Sequence, residues 1–332
     1  MDASIALMLR AVELSRAVLG TTSPNPPVGA VVVDREGEPV GEGATQPPGG
    51  AHAEVVALQQ AGVRAYGGTL VCTLEPCRHV GRTGPCTSAI VDAGIARVVY
   101  AATDPNPDAA GGAEVLRAAD VEVEQLAMRV DPLEPWLHVQ RTGRPYVTWK
   151  YAATLDGRSA AADGTSRWIT GEAARADVHR LRAEVDAVVV GVGTVLADDP
   201  QLTVRPDPGH QPLRVVLDRQ GRTPPAARVL DDEAESLVLA LEPAEALKAL
   251  AARGVVSVLL EGGPGLAASF LTAGMVERVV GYVAPALLGA GPAAVGDLGV
   301  GTIADAVRLR LDEVVRLGDD VRLTFTPAPR SA

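Results

Sequence analysis

The sequence predicts an α/β fold in two domains, and three observations predict it. Apolar strands alternate with helix-length amphipathic segments along nearly the whole chain. The length, 332 residues, suits two domains at roughly 150 residues each. The alternation lapses once, over DPLEPWLHVQRTGRP, where prolines at 132, 135 and 145 punctuate the chain. The junction is therefore placed at 145, giving domains 1–145 and 146–332.

The elements follow in order. Ile5, Met8, Leu9 and Val12 recur at helical spacing and predict a helix over about 3–19. The turn TTSPNPPVG leads to strands at 30–33 and about 40–44. A helix over about 53–61 is ended by Gly62. A strand at 69–73, a loop, a helix to about 92 and a strand at 97–102 come next. TDPNPDAAGG punctuates before a further helix and strand over about 113–124. The second domain restarts with YVTWKYAATLDG and has strands at 187–190, 213–217, 236–240, 255–260, 278–283 and 321–325. Its helices fall at about 171–184, 243–252 and 265–273, with a short one after Gly193.

Composition narrows the function. Lys and Arg total 30 against 41 Asp and Glu, a formal charge of −11. A protein that works by neutralising phosphates along a nucleic acid leans the other way. Arg10 and Glu13 interrupt the first apolar segment, so it reads as a helix and not as an export signal. No apolar run is long enough to span a membrane. The three cysteines all lie between 72 and 86, an odd and clustered set that predicts metal chemistry in a reducing, cytoplasmic setting.

The densest motif is AHAEVVAL followed by LEPCRHVGRTGPC. His52, Cys77 and Cys86 supply the three nitrogen and sulfur ligands of a catalytic zinc site, with one position left for water. Helix starts near these residues favour thiolates. Glu54, two residues from the His, is placed to move protons between water and a leaving amine. If the site were purely structural, Cys72 or His79 would be the available fourth ligand. Cys72 also reads as a small core residue in TLVCTL, and His79 as a substrate contact. Asn25 reads as a turn former or a substrate contact.

This H-x-E…P-C…C pattern is the signature of zinc-dependent base deaminases, with a cytidine-deaminase-like α/β/α fold. Eight residues between the cysteines, not two, and the upstream SPNPPVGAVV resemble the pyrimidine deaminase of riboflavin biosynthesis. In that family a reductase domain follows in the same chain. The resemblance implies that Asn25 and His79 reach the pyrimidine. Arg78 and Gly84 depart from the residues common in the family, but neither is a ligand.

Three segments of the second half carry chemistry. Lys150 is one of only two lysines against 28 arginines and lies in a strand leading to Asp156-Gly157; it reads as a functional amine or as an edge-strand charge. VDAVVVGVGTVLADDPQLTVR holds Gly191 and Gly193, but position 196 is Leu, so the dinucleotide fingerprint fails there. VVSVLLEGGPGLAASFLTAG is a strand, a Gly-rich turn and a helix, whose N-terminal amides suit a phosphate.

Together these segments are similar to the riboflavin reductase domain, whose fold resembles dihydrofolate reductase. The resemblance implies NADPH contacts at Ala152, Trp168, Thr194, Asp198, Arg219, Gly263, Pro264, Gly265, Leu266, Ala267, Ala268 and Ser269. It implies ribotide contacts at Ser166, Arg182, Leu202, Arg205 and Glu261, the arginines being natural partners of a 5′-phosphate. Lys150, Asp156 and Glu261 remain open as the proton donor in the reduction.

The expectation is a bifunctional enzyme: zinc-dependent deamination of a diaminopyrimidinone ribotide, then NADPH-dependent reduction of its ribosyl group to ribityl. Its partners are small ribotides, with no nucleic acid or membrane, in a homo-oligomer. The rivals are a nucleic-acid or nucleoside deaminase with an accessory nucleotide-binding domain, and a non-catalytic zinc scaffold.

Overall fold

The structure, a computed structural model, describes residues 3–79, 84–206 and 209–328. Its backbone divides into two units, Met1–Gly143 and Arg144–Ala332. Among the described residues no helix is long and apolar enough to cross a membrane.

The first unit runs α1 (Ala3–Ala17), β1 (Gly29–Val33), β2 (Pro39–Ala44), α2 (Ala53–Ala61), β3 (Thr69–Leu74), α3 (Cys86–Asp92), β4 (Arg97–Ala102), α4 (Gly112–Ala118), β5 (Glu122–Gln125) and α5 (Glu134–Thr142). Its sheet has the order β2-β1-β3-β4-β5, antiparallel around β1 and parallel from β3 to β5. Every residue of β1 is buried, which requires cover on both faces. The glycines show what provides it. A Cβ on Gly29 would meet the Ala11 carbonyl of α1 at 1.9 Å, whereas Cβ atoms on Gly41 and Gly43 would meet the Ala57 and Ala53 carbonyls of α2 at 2.1 and 2.2 Å. Gly43 is paired with Ala30, the neighbour of Gly29, so these positions point to opposite faces. Helices α1 and α2 therefore sandwich the sheet.

The second unit runs β6 (Tyr146–Thr154), α6 (Glu172–Ala183), β7 (Ala187–Gly191), α7 (Val192–Asp198), β8 (Leu213–Leu217), β9 (Ser236–Leu239), α8 (Pro243–Ala252), β10 (Ser257–Leu260), α9 (Pro264–Thr272), β11 (Arg278–Ala284), β12 (Leu309–Leu317) and β13 (Asp320–Pro327). The sheet order is β12-β13-β11-β6-β10-β7-β8-β9, with β11 through β9 parallel and the β12–β13 hairpin antiparallel at one edge. Alternation sorts the core. Val189, Val215, Val258 and Leu260 face α8 and α9. Val188, Val190, Val216 and Leu259 face Val192 and Val195 of α7, with Leu181 of α6 at the margin.

Two elements depart from expectation. The proline-laden stretch taken as a lapse contains α5, with Pro135 in its first turn and Gly143 in the left-handed conformation at its end. A proline there costs no intrahelical hydrogen bond, so it starts the helix instead of preventing it. Strand β12 was not anticipated. It is exposed along most of its length, and its register shifts between Leu311 and Glu313, so no face alternates cleanly.

Packing at Gly43 yields a prediction. Gly43→Ala should push the start of α2 off β2 at a cost of about 1–3 kcal/mol. Thermal melting and zinc content of the purified protein check it; an unchanged melting temperature with full zinc would show that α2 tolerates the methyl.

Candidate active site

In the first unit the loop after β3, the start of α2 and the start of α3 converge. His52 is the residue before α2, Glu54 lies in its first turn, and Cys86 is the first residue of α3. Cys77 follows the buried Glu75-Pro76 pair. The Cys77 carbonyl accepts the Thr87 amide at 3.2 Å, and its Sγ accepts the Cys86 amide at 3.5 Å. Glu75 holds the opposite side, its carboxylate accepting the amides of Ala113 at 3.0 Å and Asp104 at 3.3 Å.

The ligand atoms of His52, Cys77 and Cys86 lie within 4.8 Å of one another. His52 Nδ1 is 3.2 Å from Cys86 Sγ and 3.6 Å from Cys77 Sγ. Tetrahedral ligation with Zn–N about 2.1 Å and Zn–S about 2.3 Å implies ligand separations of about 3.6–3.8 Å. The donor set and its spacing fit zinc. Cys72 is excluded from the group: it is wholly buried in β3, its thiol donates to the Leu74 carbonyl at 3.1 Å, and burial pushes its pKa up. His79 also lies outside the group, so among the described residues the protein supplies three ligands.

The electrostatics suit a metal. The hydrogen bond from Cys86 lowers Cys77 to about 4, and that thiolate raises Cys86. The hydrogen bond with Cys77 raises His52. Glu54 is 4% exposed, and burial lifts its carboxyl to about 7.

His52, Glu54 and Cys77 open into a cavity of about 220 Å³ that also takes in Asn25, Thr45, Glu75, His79, Asp104, Asn106, Trp136 and Gln140. Nδ1 of His79 is buried there with no partner among the described residues. Residues 80–83, the centre of the loop motif, lie outside the described residues. Sequence reasoning missed Thr45, Glu75, Asp104, Asn106, Trp136 and Gln140. Glu75 was within reach, since it opens the E-P-C triplet; Trp136 and Gln140 were hidden with α5.

In the second unit the candidate residues form separate groups. Arg182 of α6 clamps Glu261, just past β10, through two hydrogen bonds of 2.6 and 3.1 Å, and Lys150 Nζ of β6 lies 3.7 Å from the same carboxylate. Glu261 is held down to about 2: burial works against ionisation, and the charges of Arg182 and Lys150 overcome it. Burial lowers Lys150, and Glu261 partly offsets this. Thr194 of α7 accepts the Gly263 amide at 3.2 Å, joining the start of α9 to α7. Ser166 donates to Asp198 at 3.4 Å. Trp168 is 70% exposed, with the Arg175 guanidinium 4.6 Å above its ring.

Other residues stand apart. Asp156 accepts from the Thr154 hydroxyl at 2.6 Å and the Gly289 amide at 2.7 Å, and these bonds press it to about 2. Arg219 pairs with Glu242 on the surface. Leu202 is 2% exposed with its side chain in the core, so contact with a ligand falls to its main chain. Ala267 and Ala268 are buried and Ala152 packs beside Val280 and Tyr282, whereas Gly265 faces open space and Ser269 bonds back to the Gly265 carbonyl.

Residues 1–102 match the cytidine and deoxycytidylate deaminase zinc-binding region, and residues 145–323 match the RibD C-terminal domain. The riboflavin biosynthesis protein RibD of Mycobacterium tuberculosis is 54% identical over 324 residues, covering 95% of each chain. The chain belongs to the RibD family. It joins a zinc-binding deaminase domain to a reductase domain and is a bifunctional enzyme of riboflavin biosynthesis. The solved RibD of Acinetobacter baumannii is similar at a TM-score of 0.90 and 39% identity, covering 98% of this chain and 99% of that one. A Thermotoga maritima diaminohydroxyphosphoribosylaminopyrimidine deaminase/5-amino-6-(5-phosphoribosylamino)uracil reductase gives 0.89 and 34%, with the same coverage. These comparisons settle the fold classes: cytidine-deaminase-like in the first unit, dihydrofolate-reductase-like in the second.

Glu54→Gln should keep about one zinc per chain while slowing deamination by about 10²–10⁴-fold, the range of general acid–base catalysis. Metal analysis beside ammonia release checks this. Loss of zinc together with activity would make Glu54 structural.

Proposed function

We propose that the first unit deaminates a 2,5-diamino-6-(5-phosphoribosylamino)pyrimidin-4-one and that the second reduces the resulting 5-amino-6-(5-phosphoribosylamino)uracil with NADPH. The observation that carries this is the convergence of His52, Cys77 and Cys86 beside a cavity of about 220 Å³ into which the buried Glu54 opens. The charge of −11 favours a small ribotide over a nucleic acid.

His52, Cys77 and Cys86 hold the zinc, which supplies the Lewis acidity that makes water nucleophilic near neutral pH. Glu54 takes the water's proton and hands it to the leaving amine, and a carboxyl near 7 serves in both directions. Asn25, His79 and Asp104 line the same cavity and orient the ring through its polar edge.

In the second unit the amides of Gly265 and Leu266 precede the first intrahelical bond of α9, so they remain as donors for a cofactor phosphate. Thr194 borders that surface through the Gly263 amide, and the resemblance adds Asp198 and Trp168 to the cofactor contacts. NADPH supplies the hydride when bound. The electrostatics separate the three candidate proton donors. Asp156 and Glu261 are both held near 2 and stay anionic, Asp156 as an anchor for the 288–289 turn. Lys150, 17% exposed and lowered by burial, is the group able to donate, with Glu261 holding its ammonium in place. The clustered cysteines and acidic composition favour a cytoplasmic protein, and the homo-oligomer remains the default for such enzymes.

Each set of residues comes from one unit, which yields the test. Cys86→Ser should abolish ammonia release from the diaminopyrimidinone ribotide yet leave NADPH oxidation with the uracil ribotide. Glu261→Ala should do the reverse. A folded Cys86→Ser protein inert in both assays would overturn the two-site reading.

A further inference from the structure

The segment Gln201–Arg205 is held by side chains at five of its main-chain groups. Arg214 donates to the Gln201 carbonyl at 3.3 Å, and Arg182 to the Thr203 carbonyl at 3.1 Å. Gln211 accepts the Val204 amide at 2.8 Å and donates to its carbonyl at 3.2 Å. His179 Nδ1 accepts the Arg205 amide at 3.2 Å. The loop needs this support because Leu202 adopts a φ of 60°, a left-handed conformation that a leucine rarely takes. No regular ladder holds the segment, so its shape is imposed from α6 and from β8 and the residues just before it.

The cations of the neighbourhood differ in what they have left to offer. Arg182 is clamped to Glu261, and Lys150 faces the same carboxylate. Arg205 is exposed, and among the described residues it makes no ion pair. His179 Nδ1 takes the Arg205 amide, and burial followed by the charges of Arg182 and Arg205 lowers its pKa. An imidazole whose Nδ1 accepts that amide holds the main chain from which the Arg205 side chain leaves the loop.

We propose that His179 is a positioning residue for the reductase substrate, orienting Arg205 toward the 5′-phosphate through its hydrogen bond to the Arg205 amide. This rests on the reading that the second unit takes a phosphoribosyl substrate. The interaction is charge-assisted and directional, so a shift of the loop by an ångström costs phosphate affinity without touching the hydride acceptor.

The test compares 5-amino-6-(5-phosphoribosylamino)uracil with its dephosphorylated counterpart, on full-length protein with NADPH. His179→Leu should raise KM for the phosphorylated compound about tenfold, near the upper range for one lost hydrogen bond. It should leave kcat, KM for NADPH and KM for the dephosphorylated compound within about twofold. His179→Asn, whose side-chain oxygen can accept the same amide, should restore the wild-type KM. Equal losses on both compounds, or failure of the Asn variant to rescue while circular dichroism shows a native fold, overturns the proposal. Arg205→Ala run in parallel separates the two readings. If it leaves KM for the phosphorylated compound unchanged, the phosphoribosyl reading of this site fails. If it raises that KM and His179→Leu does not, only the role of His179 fails.

Discussion

Strand register in the parallel core of each sheet is the constraint on which both sites depend. In the second unit Leu260 of β10 is paired with Trp149 of β6. Glu261 and Lys150 are each one residue further on, so the register sets the carboxylate beside the ammonium on the same face. A slip of one residue would send Lys150 to the α8–α9 side and leave Glu261 with Arg182 alone. The first unit uses the same logic. Strand β3 runs parallel to β4, and the Glu75-Pro76-Cys77 turn leaves the carboxyl end of β3 where helix starts gather.

Close backbone approach holds these placements. A Cβ on Gly112 would sit 1.7 Å from the Pro76 carbonyl. The start of α4 therefore lies directly against the turn carrying Cys77, where the Ala113 amide reaches Glu75. Helix α2 approaches β2 as closely through Gly41 and Gly43. The metal ligands thus ride on backbone contacts, and backbone contacts between a helix and a sheet have little slack.

Legibility in the sequence followed from the kind of signal each residue left. His52, Glu54, Cys77 and Cys86 were readable because ligand chemistry limits the residue types and their spacing is local. Lys150 stood out because the chain has so few lysines. The parallel strands were readable as apolar runs. Helix α5 was not, because prolines at 132, 135 and 145 resemble a linker unless the first-turn position of Pro135 is weighed. With it went Trp136 and Gln140. Asp104 and Asn106 were read as turn chemistry, and Asn106 does bond the Asp108 amide at 3.1 Å; nothing local shows that they also face a cavity. The grouping of Lys150, Arg182 and Glu261 is set by sheet order, and His179 joined no motif. Such contacts between residues far apart in sequence leave no pattern along the chain.

Two buried carboxylates show how environment divides the labour. Glu54 is 4% exposed, and the Glu261 side chain 8%, so desolvation pushes both toward neutrality. Around Glu54 burial is the largest influence; its own main chain and His52 act against it, the Cys77 charge adds to it, and the carboxyl rises to about 7. Around Glu261 stand Arg182 and Lys150, and the same residue type falls to about 2. The first is poised to exchange a proton with water; the second is a permanent anion that holds two cations in register. Since the residue type and degree of burial are nearly the same, the difference comes from the two cations held against Glu261. Those cations were set there by which strands and helices the fold brought together.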